Sequence, residues 1–511
     1  MQKINGLILN AIESEEKLFD LACKKSGIAK NKVKHFRIVK KSLDARDKNK
    51  IVYNYSVEIS NKEQTPYQPV YKKVSQKAKV LVVGAGPAGL FCALELLRYG
   101  FAVTIVERGK KVEDRKADVE HFLNSGVLNE NSNVQFGEGG AGAFSDGKLN
   151  TQVNSEYAKR IPLEFVKFGA PQEVAYLSKP HVGSDNLPKV VKNIREEIIR
   201  LGGNFLYETC FTDFEIKNGK IASVKIGNKI DYFDEVVLAV GHSASDVYQL
   251  CNKKGVFLEP KEFAVGFRIE HLASDINLSQ YGEKYNKLNL LPTADYKLVS
   301  HNGDRSAFTF CMCPGGVVIP SSSEKNTVVT NGMSNYLRNL ENSNSAIIVQ
   351  AKFSDFGNGL FDGLNFRNLL EKKAFLLGGE DYSAPVSLVG DYLKNQNSSS
   401  FGKVKPTYQV GVKKCNLNEI LPSKLNETLK FAIVDMSKRL KGFDSYDGVL
   451  TAVESRTSSP IRITRNENFT SINVANLYPC GEGCGYAGGI VSAGADGLKV
   501  ANKIYQKYNL R

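Results

Sequence analysis

Lys79-Val80-Leu81-Val82-Val83 runs directly into Gly84-Ala85-Gly86-Pro87-Ala88-Gly89, and the amphipathic stretch LFCALELLRYG follows. An apolar strand, a turn with glycine at its first, third and sixth positions and then a helix make the first half of a βαβ unit. FAVTIVERG supplies the second strand and ends in an acid, Glu107, 23 residues after Gly84. Each glycine has its own task. Gly84 permits the tight turn, Gly86 lets an anion such as a pyrophosphate approach the backbone, and Gly89 lets helix and strand pack closely. The helix N-terminus adds free N–H groups and a positive dipole end. Glu107 can accept hydrogen bonds from both ribose hydroxyls, and its charge would repel a 2′-phosphate, which argues against NADP here.

Two further glycine turns end apolar runs far downstream: Val240-Gly241-His242-Ser243-Ala244 and Pro479-Cys480-Gly481-Glu482-Gly483. The second leads to Gly488-Gly489-Ile490 at the start of a long helix. Three bends on one fold suit a ligand longer than one nucleotide. No second G-x-G-x-x-G stands on a strand of its own, so a separate NAD(P)H domain is not expected. The loop Gln135-Phe136-Gly137-Glu138-Gly139-Gly140-Ala141-Gly142 is too glycine-rich for an ordinary connection; a flexible turn is the plainer alternative.

At about 150 residues per domain, 511 residues suggest roughly three units. Residues 1–75 read as a small α+β module, with an amphipathic helix over 11–25 and strands in HFRIVKKS and KIVYNYSVEI. SNKEQTPYQPVYKK reads as a linker. Residues 76–261 carry the βαβ unit and its continuation. Residues 262–450 lose the strand–helix alternation and read as an inserted domain, and 451–511 return to the first. No run nears the ~20 apolar residues that span a bilayer, and MQKINGLILN lacks the features of a signal peptide. The nine cysteines are odd in number and dispersed, and the six histidines show no zinc spacing. A reducing cytoplasm and the absence of a metal are therefore expected. Residues 1–79 hold 18 Lys and Arg against 8 Asp and Glu, so most of the +14 net charge lies there. A solvated basic face explains this, as does an acidic partner, either RNA or a small acidic redox protein.

The order of the glycine motifs resembles that of the two-dinucleotide-binding-domain flavoproteins of glutathione-reductase type. ERGKKVEDRKADVEHF, SNVQFGEGGAGAFSDGKLNT, FAVGFRIEH, FTFCMCPGGVVIPSS, VESRTSSPIRI and LYPCGEGCGYAGGIVSAGADG resemble more closely the bacterial FAD-dependent dehydrogenases of unassigned substrate, over most of residues 25–505. The resemblance implies an α/β fold: a Rossmann-type FAD-binding domain, an inserted mixed α/β substrate domain and the small N-terminal α+β module. It implies FAD as cofactor. Gly84, Gly86, Pro87, Ala88 and Gly89 would meet the pyrophosphate, and Glu107 and Arg108 the adenosine. Arg115 would reach a phosphate, and Phe211 would touch adenine where a valine is usual. Gly137, Gly139, Gly140 and Ala141 would run beside the isoalloxazine, with Gly241 and His242 nearby. Gly481 and Glu482 would meet the ribityl chain, with Glu482 standing where the family type has Asp. Gly488, Gly489 and Ile490 would bring helix N–H groups to the flavin edge where reduction builds negative charge.

Cys311-Met312-Cys313-Pro314-Gly315-Gly316 places two thiols near a turn, where they could act as redox partners or proton donors; burial as plain strand residues is the alternative. The usual early Cys pair of disulfide reductases is absent. Lys148 could carry charge near the flavin or hold an acidic substrate. Glu454, Arg456 and Arg462 bring acid and base together before the last glycine motif. Arg456 could clamp a carboxylate or form a structural ion pair. The leading expectation is an FAD-dependent oxidoreductase moving a hydride between flavin N5 and a small organic substrate, with electrons exchanged through NAD(P)H, a protein donor or the substrate itself. The alternatives are a flavoprotein acting on RNA or an RNA-bound group, and a non-enzymatic electron-transfer or redox-sensing module.

Overall fold

Alternate residues of Lys79–Val83 enter two different cores, the period-two signature of a strand buried on both faces. Val80 and Val82 pack with Phe91, Leu94, Leu498 and Ile504, whereas Leu81 and Val83 pack with Phe214, Val224, Val236 and Tyr248. This strand is the centre of a five-stranded parallel sheet ordered Leu477–Pro479, Glu235–Leu238, Lys79–Val83, Ala102–Val106, Asn204–Leu206. Helices Pro87–Tyr99 and Ile490–Asn509 cover one face. They pack so closely that a Cβ on Gly497 would strike the Ala88 carbonyl oxygen. A three-stranded meander, Phe211–Lys217, Lys220–Ile226 and Lys229–Asp231, lies with helix Ser245–Lys253 over the other face. This computed structural model describes residues 1–64, 71–74 and 78–509. Much of the expected linker, and the expected boundary at 75, lie outside those residues.

The second large sheet has seven strands, ordered Val299–Asn302, Arg305–Cys313, Asn342–Ala351, Phe263–Leu272, Val449–Glu454, Ala384–Leu388, Val412–Lys414. One face carries Val265, Phe267, Ile269, Ile347 and Val349, packed on Leu425, Leu429 and Ile433 of helix Ser423–Ser437. Ala264, Ala346, Ile348 and Phe310 form a separate cluster. The boundary expected at 450 needs correction, because it cuts a strand. Val449–Glu454 is an interior member of this sheet, and its six consecutive buried residues look in sequence like a strand of the parallel core. Leu258–Pro260 then pairs antiparallel with Ile461–Ile463, and this two-stranded neck joins the insert to the first sheet.

At the N-terminus, Gln2–Asn10, Val52–Ser60 and His35–Asp44 form an antiparallel sheet under helix Lys17–Ser26. The helix expected from residue 11 begins at Lys17, after a turn closed by Glu13 N donating to Asn10 O. The module joins the body through backbone bonds from Lys41 N to Tyr176 O (2.8 Å) and from Ser178 N to Lys41 O (2.9 Å). Among the described residues no helix is long and apolar enough to cross a membrane.

Candidate active site

The carboxyl ends of the parallel strands all open into one cavity of about 350 Å³, at the position where open α/β sheets bind their ligands. Gly84, at φ 104, turns the chain out of the central strand while its N–H donates to Val106 O at 2.8 Å. A Cβ on Gly89 would collide with the Gly84 carbonyl oxygen, so this glycine is fixed by helix–turn packing and lies behind the cavity wall. Gly86 differs: it caps the helix at φ −76, and a Cβ there would meet nothing nearer than Gly140 Cα at 3.9 Å. Glu107 ends the next strand and ties three loops together. Its Oε2 accepts from Ala85 N at 2.8 Å, and its Oε1 accepts from Gly109 N and Gly137 N, both at 3.0 Å. Arg108 pairs with Asp246 at 2.8 Å and lies 4.3 Å from the centre of the Phe136 ring.

The glycine-rich loop is held by Arg115, and here the sequence expectation needs correction. Arg115 is fully buried and spends its guanidinium on main-chain carbonyls: Asn133, Val134, Gly137, Glu138 and Gly140, at 2.7 to 3.2 Å. It does not line the cavity, and its guanidinium is turned to the loop that it holds rather than to a ligand. Gly139 also falls behind the wall, with a hypothetical Cβ 3.0 Å from Ala143 Cβ. Gly137, Gly140, Ala141 and Phe211 line the cavity.

The other two turns close on the first. A Cβ on Gly481 would lie 2.7 Å from Ala88 Cβ, and one on Gly483 would strike the Gly241 backbone. Gly481 itself is set back from the cavity, its N–H donating to Asp496 Oδ2 at 2.8 Å. Gly241, His242, Glu482, Gly488, Gly489 and Ile490 line it. Burial, then the Arg367 and Arg456 charges, push His242 down to about 3, so the imidazole is neutral at pH 7. Burial, reinforced by the Cys311 sulfur, pushes Glu482 up to about 7, and its Oε1 lies 3.9 Å from His242 Nε2. Gly86, Gly488 and Gly489 have no positive φ and no crowding neighbour. Nothing in the protein itself demands glycine there, and the three positions leave the backbone open to a group in the cavity.

The seven-stranded sheet forms the ceiling. Phe310, Cys311 and Glu454 reach the cavity from it, Arg456 and Thr457 from the loop that follows Val449–Glu454, Asn331 from the neighbouring two-stranded sheet, and Asp146 and Lys148 from the loop below. Arg268, wholly buried, organises this side. Its Nε donates to Glu454 Oε2 at 3.0 Å, its Nη2 to Asn331 Oδ1 at 2.9 Å, and its Nη1 to Cys311 O at 2.8 Å. Burial pushes the Glu454 carboxyl up to about 7, against the pull of Arg268. Asp146 is gripped by Arg338 at 2.5 and 2.9 Å and stands 3.4 Å from Lys148 Nζ. The Lys148 ammonium makes no hydrogen bond. Cys313 is buried just outside the cavity. Of the two readings of Arg456, the ion pair is the one seen: Glu371 takes its Nε and Nη2 at 3.0 and 2.8 Å. Arg367, also buried, donates to His242 O at 3.1 Å and fixes the second glycine turn.

Sequence reasoning missed Arg268, Arg367, Glu371 and Asp496. All four act through partners remote in sequence, and FAVGFRIEH held the one signal, an arginine set into a strand that begins as an apolar run.

Residues 77–124 match a profile described as an FAD binding domain. Residues 262–457 match one described as the C-terminal domain of an FAD-dependent protein, and 1–60 match a domain of unknown function. An "Uncharacterized protein" of Clostridium beijerinckii is 43% identical over 529 aligned positions, covering 99% of each chain. Similar solved structures include a glycine oxidase from Geobacillus kaustophilus (10% identity, 84% of this chain and 95% of that one, TM-score 0.38). Another is an L-proline dehydrogenase from P. horikoshii (13%, 84% and 94%, 0.35). At these scores neither structural likeness bears on function. FAD is the cofactor that the matched profiles imply, and the open cradle at Gly86, Gly488 and Gly489 fits it.

Proposed function

This chain belongs to one family of FAD-dependent proteins with the Clostridium beijerinckii protein, and from that premise we propose that it is an oxidoreductase that moves a hydride between flavin N5 and a small organic substrate seated beneath the seven-stranded sheet. The bound FAD supplies the two-electron chemistry; the chain supplies position and charge. On this reading the N–H groups of Gly86 and Ala88 and the helix dipole behind them would bind the pyrophosphate. Glu107 exchanges its loop contacts for the ribose hydroxyls, and Glu482 meets the ribityl chain. The helix that starts at Ile490 turns its N-terminus, with Gly488 and Gly489, toward the reduced flavin edge.

At the ceiling, Lys148 brings a cation without a hydrogen-bond partner to the substrate side. Glu454, poised near neutrality, holds or releases a proton there. An anionic substrate, a carboxylate above all, matches Lys148. The observation that carries this reading is that the three glycine turns, remote in sequence, share one cavity with these ceiling groups. The test is anaerobic: the FAD-loaded protein is mixed with amino acids, hydroxy acids, NADH and NADPH while the visible flavin band is followed. Bleaching by an anionic donor is expected. A flavin that no small molecule reduces or reoxidises, but that a protein donor does, overturns the proposal.

A further inference from the structure

The strand Arg305–Cys313 stores one extra residue beside the cavity. Phe310 pairs with Ala346 and Cys313 with Asn344, so three steps on one strand answer two on its partner, which makes a β-bulge. Within it Cys311 stands at φ 42. Glycine or asparagine adopts that left-handed conformation at lower cost. A cysteine held there is better explained by what its side chain meets than by the needs of the backbone. The side chain meets the cavity: Cys311 lines it together with Lys148, Asp146, Glu454 and Glu482. Cys313 lies directly behind. Its thiol donates to Cys311 O at 3.4 Å. Both cysteines are free.

The charges around the pair are asymmetric. Lys148 Nζ has no hydrogen-bond partner, and Arg268 holds the Cys311 carbonyl at 2.8 Å. Asp146, Glu454 and Glu482 oppose these cations, but Asp146 is neutralised by Arg338, and the two glutamates take up protons readily near neutral pH. The Cys313 hydrogen bond, with the Lys148 and Arg268 charges, therefore holds Cys311 well below the usual thiol range against its burial, while Cys313 is driven up and stays protonated. One thiolate and one thiol side by side, with the thiolate facing the cavity, is the arrangement that thiol–disulfide exchange requires.

The geometry points to a redox-active dithiol: Cys311 and Cys313 cycle between two thiols and a disulfide, exchange an electron pair with the FAD beside them, and pass it to a low-molecular-weight disulfide. The Cys311 thiolate attacks the external disulfide and expels one thiolate, leaving a mixed disulfide. Cys313 loses its proton and attacks the Cys311 sulfur, expelling the second thiolate and closing the Cys311–Cys313 bond. The Cys311–Cys313 bond would be reopened by two electrons and one proton from the reduced coenzyme, which the organic donor proposed above would have charged, leaving Cys311 as thiolate and Cys313 as thiol. A disulfide across two positions in sequence is strained, and strain favours its reduction.

This inference rests on the proposed function, and electron counting separates the two. The air-oxidised, FAD-loaded protein is titrated with dithionite under anaerobic conditions. Four electrons per FAD are expected, two for the flavin and two for the disulfide, falling to two in Cys313→Ser and Cys311→Ser. In the oxidised protein the tryptic peptide 306–325 is expected to be lighter by two hydrogens. Two electrons in the wild type, with both thiols open to alkylation after oxidation, overturn the dithiol. A four-electron protein that no organic donor bleaches overturns the donor reading alone. The wild-type count and the peptide mass need no variant, so a misfolded variant does not remove the test.

Discussion

At the floor of the cavity the backbone dictates residue types: a Cβ on Gly84 would strike the Ala239 carbonyl, and one on Gly89 the Gly84 carbonyl. At the ceiling side chains dictate them. Arg268 joins Glu454, Cys311 and Asn331, and Arg456 joins Glu371, all in the protein interior. On the proposed reading the floor would recognise features common to any adenine dinucleotide and say little about how the coenzyme is used. The ceiling would face the reacting end and hold the groups that distinguish one substrate from another. The two halves should therefore fail differently when cut, floor lesions in cofactor affinity and ceiling lesions in stability and reactivity.

The largest expected effect lies at the ceiling. Arg268→Met strands a buried Glu454 carboxyl and the Cys311 carbonyl, and removing one member of a buried pair costs about 3–5 kcal/mol. Chemical unfolding of the FAD-free protein measures it. Arg268→Met combined with Glu454→Met should recover most of that loss, because no buried charge is then left alone. A loss below about 1 kcal/mol for the single variant would mean that apolar packing, not the charge network, holds this face.

Gly86→Ala tests the floor. The nearest atom to the new methyl is Gly140 Cα at 3.9 Å, an ordinary contact. Stability without FAD should change by no more than about 0.5 kcal/mol. In the proposed binding mode the methyl would stand in the path of the pyrophosphate, so FAD affinity should fall roughly a hundredfold, about 2.7 kcal/mol. Thermal melts with and without FAD separate the two effects. Equal losses in both would show that Gly86 serves the fold, like Gly89, and would erase the distinction between reserved and crowded glycines.

The same contrast governs what could be read from the sequence. The floor is written in local code: strand, turn and helix lie within about twenty residues, and the spacing of the glycines is legible there even though Gly84 packs on the distant Ala239. Arg115 misleads because its position suits a phosphate, while its partners are carbonyls 18 to 25 residues downstream, in a loop whose path the sequence does not fix. The ceiling is written in pairs as distant as Arg268 and Glu454, 186 residues apart, which one sequence cannot match up. The insert boundary was misplaced for a related reason: Val449–Glu454 is buried on both faces, which by pattern alone equals a parallel core strand. Cys311 and Cys313 were visible as a pair, but not the bulge that turns one to the cavity and leaves the other behind.

Lys148 offers a finer cut at the ceiling. Its charge helps to keep Cys311 ionised, after the Cys313 hydrogen bond. In the reduced protein Lys148→Met should move the pH midpoint of iodoacetamide alkylation of Cys311 upward by about one pKa unit and slow the rate below that midpoint. Lys148→Arg should largely restore the rate. An unchanged rate in the Met variant would assign the thiolate to Arg268 and Cys313 alone.

The smallest effect tests whether floor and ceiling communicate through Glu482, which stands at the floor yet feels the Cys311 sulfur. Burial raises its carboxyl from 4.5 to about 7. A carboxyl raised on folding binds its proton more tightly in the folded state. Its contribution to stability is full below about pH 4.5 and is lost as pH climbs to about 7. With about a quarter of the side chain exposed, solvent screens much of this, and about 1 kcal/mol should disappear over that window. In Glu482→Gln the group cannot ionise, so FAD-free stability measured at pH 5 and pH 8 should differ by about that much less than in the wild type. Cys311→Ser, which removes the neighbouring sulfur charge, should shift the wild-type transition to lower pH. If it does not, burial alone sets the Glu482 proton, and the two surfaces of the cavity titrate independently.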